Sequence, residues 1–532
     1  MNINLIKTWV KNPLFLSILT GILAFLSFPN FHFYILIWVA FVPLFITFFL
    51  ETKPKKVALY FFISGWVFHS LTLNWLIVNM FWVGGPAFIG YQLLSMGLSA
   101  FWAIIGFLVS KHFSHQNSIF RNYVFGALWV GMEWVQAHAL TGFGWCNLGY
   151  SQGPNLLFSQ LTSLGSVPLL SFFIILANIF IAEAIIQKTH RLKSIIHVVC
   201  VILVVHFIGW LLLLNTSIKE GTTRVAIIQP NFPQEMKFDP IWYRDMVEWA
   251  VQYSNTLLKN QKVDIVFWPE ALVMTDYSTP GILDLLQDFA QKQSVHLITG
   301  TTRLDEEGGD YNSCVWINPE GNVMDYYDKV HLAPFGEYLP LAQFLPFLRN
   351  ILPYDVSSGK EQKIFSINEH NKIGPLICFE VLFSNMAHHL RKNGATALVV
   401  LTNLSWFGGT NALPQELEIC RMRAIETRLP VIHCTNTGIS GIFDPHGKFY
   451  VAHILIGRDK TYLFEPILNN PGISVRARLG GIFTLPCPSE RISSFLNPDY
   501  VSMMVGILGI LFLLIDTFIR NRNKGGTTTY VS

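Results

Sequence analysis

Three side chains in the middle of the chain could together carry out acyl-transfer chemistry. Glu270, Lys329 and Cys378 each come directly after a short run of residues typical of a β-strand. A carboxylate can take the proton of a thiol, a thiolate can attack a carbonyl carbon, and an ammonium group lowers the thiol pKa and stabilises an oxyanion. Strand ends often hold such groups, because a rigid sheet positions them and a loop admits substrate. The three residues therefore predict nucleophilic catalysis by a cysteine.

The elements around these residues follow from an alternation of two patterns. Short β-branched and apolar runs predict strands, and the amphipathic stretches between them predict helices, which is typical of a layered α/β domain. No glycine-rich phosphate loop follows any strand, which weakens interpretations as a nucleotide-binding protein. The predicted strands are 225–229, 265–268, 297–301, 315–318, 374–379, 397–402, 431–435, 440–444 and 449–451. The predicted helices are 242–258, 283–293, 385–392 and 415–428.

Charged residues divide the 532-residue chain into two regimes. They make up 13% of the whole chain, whereas a soluble domain carries roughly a quarter. This composition excludes a disordered chain and an ordinary cytosolic enzyme, and indicates membrane residence. Residues 1–215 contain 13 charges, about 6%, and residues 499–532 contain five, so 53 lie in 216–498, about 19%. We therefore predict a membrane domain of seven helices at 1–215, an α/β catalytic domain at 216–498, and a membrane helix with a cytoplasmic tail at 499–532.

Eight apolar stretches approach the roughly 20 residues that a helix needs to cross a bilayer. The first is not expected to be a signal peptide, because no small-residue cleavage site follows it and further apolar stretches come directly after. Thirteen Lys and Arg residues fall in the termini and in alternate short loops, while the other loops, near Asn30, near Gly84 and at 141–164, carry none. The positive-inside rule then predicts cytoplasmic termini and, in a bacterium, a periplasmic catalytic domain. The stretches are 12–29, 33–50, 58–80, 88–110, 122–139, 165–187, 194–214 and 500–519.

Cysteines and carboxylates outside the three reactive residues leave two questions open. The seven cysteines show no C-x-x-C spacing, so no metal ribbon is expected. Five of them lie in the predicted exported domain, where thiols normally pair, and an odd number leaves at least one without a partner there. Glu133 and Glu183 fall in or near predicted spans, where a carboxylate is costly and usually has a purpose. A buried hydrogen bond between helices and a role in catalysis are both open for these two.

Longer motifs surround the three reactive residues and appear in the order expected of one family. With them the middle domain resembles the nitrilase (carbon–nitrogen hydrolase) superfamily, and with its eight predicted spans the whole chain resembles the apolipoprotein N-acyltransferase family. The motifs are Trp268-Pro269-Glu270, Tyr327-Asp328-Lys329, the segment 331–338, Ile377-Cys378-Phe379-Glu380, Thr402-Asn403, Ser405-Trp406-Phe407-Gly408, the segment 415–426 and Thr435-Asn436-Thr437-Gly438 in the middle domain, and Glu133-Trp134, Thr141-Gly142-Phe143, Trp145 and Gly149-Tyr150-Ser151-Gln152 in the membrane part.

The resemblance implies a fold and an activity. The fold would be an αββα sandwich attached to a polytopic bundle of eight membrane helices. The activity would be transfer of an acyl chain from a phospholipid to the N-terminal amine of a diacylglyceryl-cysteine apolipoprotein, through a thioester on the enzyme. No metal, cofactor, nucleotide or nucleic acid would take part. The membrane would be the bacterial inner membrane.

The resemblance also implies roles for particular residues. Glu270 would be the general base, Cys378 the nucleophile and Lys329 the oxyanion partner. Glu337 would be a supporting acid in the pocket. The residues that would shape the site or contact lipid are Phe379, Glu380, Trp406 and Phe238, although simple packing is also open for the last two.

Three positions depart from the family's usual pattern. Phe379 stands where the family usually has Tyr and so lacks a hydroxyl group. Leu404 replaces an acidic residue, and Phe238 stands where an aromatic residue, commonly Trp, is found. These differences affect substrate fit and rate, whereas the three reactive residues are unchanged.

Two other classes of function are compatible with parts of the sequence. A membrane-anchored amidase or nitrilase would share the Glu-Lys-Cys residues but would release ammonia from a small amide, and one or two helices would suffice to anchor it. A transporter with an accessory domain would be expected to show ionisable residues along its spans or broken paired helices, and the first seven stretches contain only two carboxylates, Glu133 and Glu183. A non-catalytic lipoprotein-binding protein is disfavoured because all three reactive residues are present.

Overall fold

The structure, a computed structural model, describes residues 12–29, 31, 33–79, 84–113, 119–219, 221–339, 356–451, 454–455, 479–488 and 497–525. The chain forms two compact units. The first combines the chain up to Leu213 with the segment from Ser494, and the second runs from Leu214 to Ser493. Lys7, Lys11 and the loop residue Asn30, used above for orientation, lie outside the described residues.

Within the described residues of the first unit, each of the eight apolar stretches contains helical residues. Four of them are long and apolar enough to cross a membrane by length and composition: Ala87–Phe113, Thr162–Ile186, Arg191–Leu214 and Pro498–Ile515. Eight spans are therefore not confirmed and stay a prediction. The helices are Pro13–Leu26, Ile37–Ala40, Val42–Leu50, Pro54–Thr72, Pro86–Phe113, Ile119–His138, Leu156–Ser159, Thr162–Ile186, Arg191–Leu214 and Pro498–Gly525, with 3-10 turns at Tyr34–Leu36, Asn74–Asn79 and Leu148–Gln152.

Polar and short helices account for the difference between eight stretches and four. Pro13–Leu26 and Tyr34–Leu50 are apolar but have fewer than 18 residues. Two further helices are long enough but contain charged residues that lower their mean hydropathy. These residues are Lys55 and Lys56 in Pro54–Thr72, and Arg121 and Glu133 in Ile119–His138. Length and composition alone therefore do not identify these segments as spans.

Two large sheets form the second unit. Its strands, in chain order, are β1 Ile218–Lys219, β2 Arg224–Gln229, β3 Ile265–Asp276, β4 His296–Leu304, β5 Asp310–Ile317, β6 Val323–Asp328, β7 Phe365–Ser366, β8 Lys372–Ile377, β9 Ala397–Thr402, β10 Val431–Thr435, β11 Gly441–Phe443, β12 Phe449–Val451, β13 Ile454–Leu455, β14 Leu479–Thr484 and β15 Cys487–Pro488. One sheet has seven strands in the order β13-β14-β2-β3-β4-β5-β6, the other has six in the order β12-β11-β10-β9-β8-β7, and β1 pairs with β15.

Residues that alternate along the strands separate two hydrophobic cores. Val225 and Ile227 of β2 pack with Val399 of β9, which places one core between the two sheets. Ala226 and Ile228 point the other way, into a core with helical residues. This alternation gives each central strand two buried faces. The helices of the second unit are Gln234–Phe238, Tyr243–Leu258, Ile282–Gln293, Ser384–Lys392 and Ala412–Thr427, with 3-10 turns at Pro240–Trp242, Cys378–Leu382 and Leu404–Phe407.

The layered α/β prediction for this unit is confirmed. All nine predicted strands and all four predicted helices are present, most with ends shifted by one to three residues. The largest error concerns β3, which was predicted to end at Trp268 and instead continues to Asp276. It passes Pro269 with an irregular register against β4 between Trp268 and Val273.

Candidate active site

Glu270 lies at the irregular point of β3. Its neighbour Ala271 has a φ of +52°, a left-handed conformation that few residues with a side chain adopt. The buried ammonium group of Lys237 donates a hydrogen bond to the Ala271 carbonyl oxygen at 2.6 Å. Strained backbone of this kind persists only where surrounding contacts hold it, and such sites cluster at functional positions. The irregularity and the lysine together hold the carboxyl group of Glu270, which is only 7% exposed.

Lys329 is fixed at the end of β6 by its backbone and its side chain. Its N–H donates to the carbonyl oxygen of Asn312 on β5 at 2.8 Å. Its ammonium nitrogen lies 2.9 Å from the Glu337 carboxylate and 3.8 Å from Glu270 Oε1. The residue is 1% exposed. The sheet edge thus brings Glu270, Lys329 and Glu337 together.

Asn312 is a member of the site that the sequence analysis missed. Its side-chain amide donates to Glu270 Oε1 at 2.8 Å and to Glu337 Oε1 at 2.7 Å. One amide group therefore holds two carboxylates that share one ammonium, Lys329. No local pattern marks Asn312, because it precedes the predicted strand 315–318 and only the pairing of β5 with β4 and β6 brings it to the site.

Burial and neighbouring charges together raise the pKa values of both Glu270 and Lys329. Burial raises the pKa of Glu270, and the nearby Lys329 ammonium only partly opposes the shift. Burial alone would lower the pKa of Lys329, but the carboxylates of Glu337 and Glu270 outweigh it and raise that pKa above its ordinary value. Lys329 is therefore a fixed positive charge, and Glu270 is a stronger base than an exposed carboxylate.

Cys378 occupies a turn directly after β8. Its φ is +51°, and a 3-10 turn, Cys378–Leu382, begins at this residue. In the part of the second unit that the structure describes, Cys378 is partly exposed, whereas Cys314, Cys420 and Cys434 are buried, and none of the four forms a disulfide. Burial of the thiol, and then the charge of Glu270, raises the Cys378 pKa. The thiol is thus neutral at rest and needs a base to become a nucleophile.

Glu380 holds the loop that follows Lys329. It is fully buried, and its carboxylate accepts hydrogen bonds from the backbone N–H groups of Val330 at 2.8 Å and His331 at 3.0 Å. The other oxygen accepts from Ile377 N–H at 2.8 Å. The residue therefore links the Lys329 loop to the end of the strand that carries the cysteine. In the structure, Glu380 therefore stabilises the site through backbone hydrogen bonds.

The aromatic residues expected near lipid lie in two separate contacts. Phe238 and Trp406 pack edge to face with ring centroids 5.5 Å apart, and Phe238 is 46% exposed. Phe379 packs against the rings of Phe383 and His331. The exposed Phe238 and the partly buried Trp406 together form the kind of surface that suits contact with an acyl chain.

A third carboxyl group near Cys378 was also missed. Glu416 lies in the buried helix Ala412–Thr427, is 1% exposed, and accepts a hydrogen bond at Oε1 from the Thr402 hydroxyl at 3.1 Å. Glu416 lies in the predicted helix 415–428 and in the motif 415–426, but no role was predicted for it, because helical periodicity does not show which positions face a nucleophile. Its charge interacts with Cys378, Glu270 and Lys329.

The two units of the chain match separate family models. Residues 224–453 match the family model described as Carbon-nitrogen hydrolase, and residues 20–180 match the model described as Apolipoprotein N-acyltransferase N-terminal domain. A nitrilase-superfamily protein of Saccharomyces cerevisiae aligns with 52% of this chain and 94% of its own, at 19% identity and a TM-score of 0.38. The family model alone identifies residues 224–453 as a carbon–nitrogen hydrolase domain.

Curated relatives identify the family more narrowly. The apolipoprotein N-acyltransferase of Geobacter metallireducens is 30% identical over 496 residues, which cover 89% of this chain and 92% of that protein. The protein of the same name from Rhizobium rhizogenes is 27% identical over 96% of this chain and 97% of its own, and that from Haemophilus influenzae is 26% identical over 85% and 88%. The chain belongs to the apolipoprotein N-acyltransferase family, and it is a membrane-associated acyltransferase.

Proposed function

We propose that this protein transfers an acyl chain from a membrane phospholipid to the N-terminal amine of a diacylglyceryl-cysteine apolipoprotein. The observation that carries the proposal is the group around Cys378: a neutral thiol, a buried carboxylate with a raised pKa, and an ammonium held 3.8 Å from that carboxylate. This group suits attack on an ester carbonyl. The relatives' shared name and their match along most of the chain support the lipid substrates.

The first half-reaction forms a thioester. Glu270 removes the Cys378 thiol proton as the sulfur attacks the ester carbonyl carbon of the phospholipid. Lys329 and a backbone N–H near Phe379 stabilise the oxyanion, an interaction worth about 3 kcal/mol in comparable sites. The C–O bond then breaks, the leaving alkoxide takes the proton from Glu270, and lysophospholipid departs.

The second half-reaction passes the acyl group to an amine. The α-amine of the lipoprotein's first residue attacks the thioester carbonyl carbon, and Glu270 takes the proton that the nitrogen loses. The C–S bond breaks, an amide forms, and the proton on Glu270 returns to the Cys378 sulfur. Because each substrate reacts with the enzyme in turn, the kinetics are ping-pong. The ester already present in the phospholipid supplies the free energy.

The membrane arrangement is part of the same proposal. Thirteen Lys and Arg residues in alternate loops and termini, against none in the others, support cytoplasmic termini and a periplasmic catalytic unit in the bacterial inner membrane. Eight spans would satisfy this arrangement. Fusion of a reporter that is active only in the periplasm to the C-terminal tail should give no signal, whereas its insertion near Gly308, on an exposed turn, should give one.

The test of the activity is trapping of the acyl-enzyme. The full-length protein is incubated in detergent with a radiolabelled phospholipid and no acceptor, and we expect an acyl-protein that neutral hydroxylamine cleaves. Cys378→Ser should abolish the adduct and should lower transfer to a diacylglyceryl peptide by at least about a thousandfold. Transfer by Cys378→Ser at the wild-type rate would contradict the nucleophile assignment. Ammonia release from simple amides without acyl transfer would instead support an amidase.

A further inference from the structure

One hydroxyl group lies between the nucleophile and a buried carboxyl group. Thr402, the last residue of β9, is fully buried, and its hydroxyl donates to Glu416 Oε1 at 3.1 Å. The parallel pairing of Ile377 with Leu401 places the residues that follow them, Cys378 and Thr402, side by side, and the Thr402 hydroxyl interacts with the thiol. A hydroxyl group has only one proton to donate. It can therefore donate to the sulfur or to the carboxyl oxygen, but not to both at once.

The surroundings of Glu416 favour its protonated form. Among the residues that the structure describes, Oε2 of Glu416 has no hydrogen-bond partner, and Thr402 is the donor to Oε1. A buried carboxylate with one neutral donor is poorly stabilised, because the negative charge is neither solvated nor paired. The neutral acid needs fewer donors and can itself donate from Oε1 to the Thr402 oxygen.

The charges that face Glu416 come from several elements. Glu270 on β3, Lys329 after β6 and Cys378 after β8 all interact with it, as does Cys420 one turn along its own helix. Glu270 opposes a second negative charge here, while Lys329 is already paired with Glu337. Burial, with only partial opposition from Thr402, raises the pKa of Glu416 to about 8.

We propose that Glu416 is a positioning residue for the nucleophile: its protonated carboxyl group donates to the Thr402 oxygen and thereby directs the Thr402 hydroxyl proton at the Cys378 sulfur. This inference rests on the proposed role of Cys378. When Glu416 ionises, the carboxylate attracts the Thr402 proton, the sulfur loses its donor, and a negative charge is added beside the forming thiolate. Acylation of Cys378 should therefore slow above about pH 8.

The experiment measures the rate of acyl-enzyme formation between pH 6 and 9. The full-length protein in detergent micelles is mixed with phosphatidylethanolamine without acceptor, and the acyl-protein is quantified after acid quenching. The variants are Glu416→Gln, Thr402→Val, their combination, and Cys378→Ser. Glutamine cannot ionise, but its amide can donate to Thr402 as the neutral acid does, so Glu416→Gln tests ionisation without removing the contact.

We expect a wild-type rate that falls above about pH 8 and a Glu416→Gln rate that stays level. At pH 6.5 the two should agree within about twofold, while Thr402→Val should be about tenfold slower, the size of one lost hydrogen bond to a charged group. At pH 9 the increase in acylation rate caused by Glu416→Gln should be large when Thr402 is present and small in the T402V background.

Three results would overturn the inference. An unchanged alkaline fall in Glu416→Gln would show that another group titrates. An equal gain in both backgrounds would show that the charge of Glu416 acts directly on the thiolate and not through Thr402. Acyl-protein formation by Cys378→Ser, cleaved by neutral hydroxylamine, would refute the proposed nucleophile and the inference together, whereas the first two results leave the nucleophile in place.

Discussion

Each of the two units buries a cluster of charged groups, and the two clusters differ in how many positive and negative groups they contain. In the first unit, Arg121 lies 3.2 Å from Glu183, both nearly inaccessible, and Asn122 and Ser194 donate to the second carboxylate oxygen at 3.2 and 2.9 Å. One cation meets one carboxylate there, with neutral donors completing the bonds. In the second unit, the ammonium of Lys329 lies near the carboxyl groups of Glu270, Glu337 and Glu416, and the buried ammonium of Lys237 is a second cation near Glu270.

The pairing of positive with negative groups distinguishes a cluster that stabilises the fold from one that can react. The Arg121 cluster joins residues of regular helices and satisfies both oxygens of Glu183, which answers the open question about this carboxylate in favour of a hydrogen bond between helices. In the Glu270 cluster three carboxyl groups lie near two ammonium groups, the pKa values of Glu270 and Glu416 are raised, and the backbone is left-handed at Ala271 and Cys378. Such features cost stability, and they suit groups that must exchange protons.

Removal of the base should have the largest effect on rate. We expect Glu270→Gln to lower transfer about a thousandfold, since general base catalysis contributes roughly 10² to 10⁴. The thermal midpoint should remain near that of the wild type, because neutralising one of the excess carboxylates relieves repulsion with Glu337. Transfer assays and thermal unfolding in detergent check both. Glu306→Gln, on an exposed turn, is the matched control. If Glu270→Gln lowered the stability without lowering the rate, the Glu270 cluster would be the structural one.

Removal of the cation from the balanced cluster should mainly affect stability. Arg121→Met leaves Glu183 buried without its partner, which should cost about 3–5 kcal/mol of unfolding free energy. Turnover per folded molecule should stay within about twofold. The double variant Arg121→Met/Glu183→Leu should recover most of the stability. An equal loss in the single and double variants, measured by unfolding in detergent, would show that the pair contributes little.

Removal of the supporting carboxylate should move the pH profile in a defined direction. Glu337 raises the pKa of Glu270 by like-charge repulsion, so Glu337→Gln should lower that pKa. Transfer needs ionised Glu270, and its acid limb should therefore shift to lower pH, with a rate about tenfold to a hundredfold lower because Lys329 loses its partner. The pH dependence of kcat/KM gives this result. Glu361→Gln, an exposed carboxylate, should change neither quantity, and a shift to higher pH would contradict the assignment.

The smallest effect on transfer is expected at the aromatic pair of Phe238 and Trp406. Trp406→Leu removes an edge-to-face contact with Phe238 that is worth about 1 kcal/mol, and should raise KM for phospholipid by less than about tenfold with little change in kcat. Phe238→Leu should give the same pattern if the pair contacts the acyl chain. A fall in the thermal midpoint with an unchanged KM would indicate packing alone.

Local patterns predicted most of the second unit, and they failed where pairing between distant segments decides the structure. The alternation in 431–435 predicted β10 to the residue. β3 was predicted to stop at Trp268, since Pro269 normally ends a strand, but Lys237 and the neighbouring strand carry it on to Asp276. The strand β14, which lies between β13 and β2, was not predicted, because its pairing with β2 comes from a part of the chain some 250 residues later.

The sequence by itself determined the division into an apolar and a charged part, the layered α/β unit, and the motifs around Glu270, Lys329 and Cys378. These features are local, because composition, periodicity and short motifs record which groups are present in each segment. Only the tertiary structure placed Asn312 across two carboxylates, made Glu380 a support for the Lys329 loop, and set Thr402 between the sulfur and Glu416. Sheet order and crossovers decide which side chains meet, and a pKa depends on those neighbours.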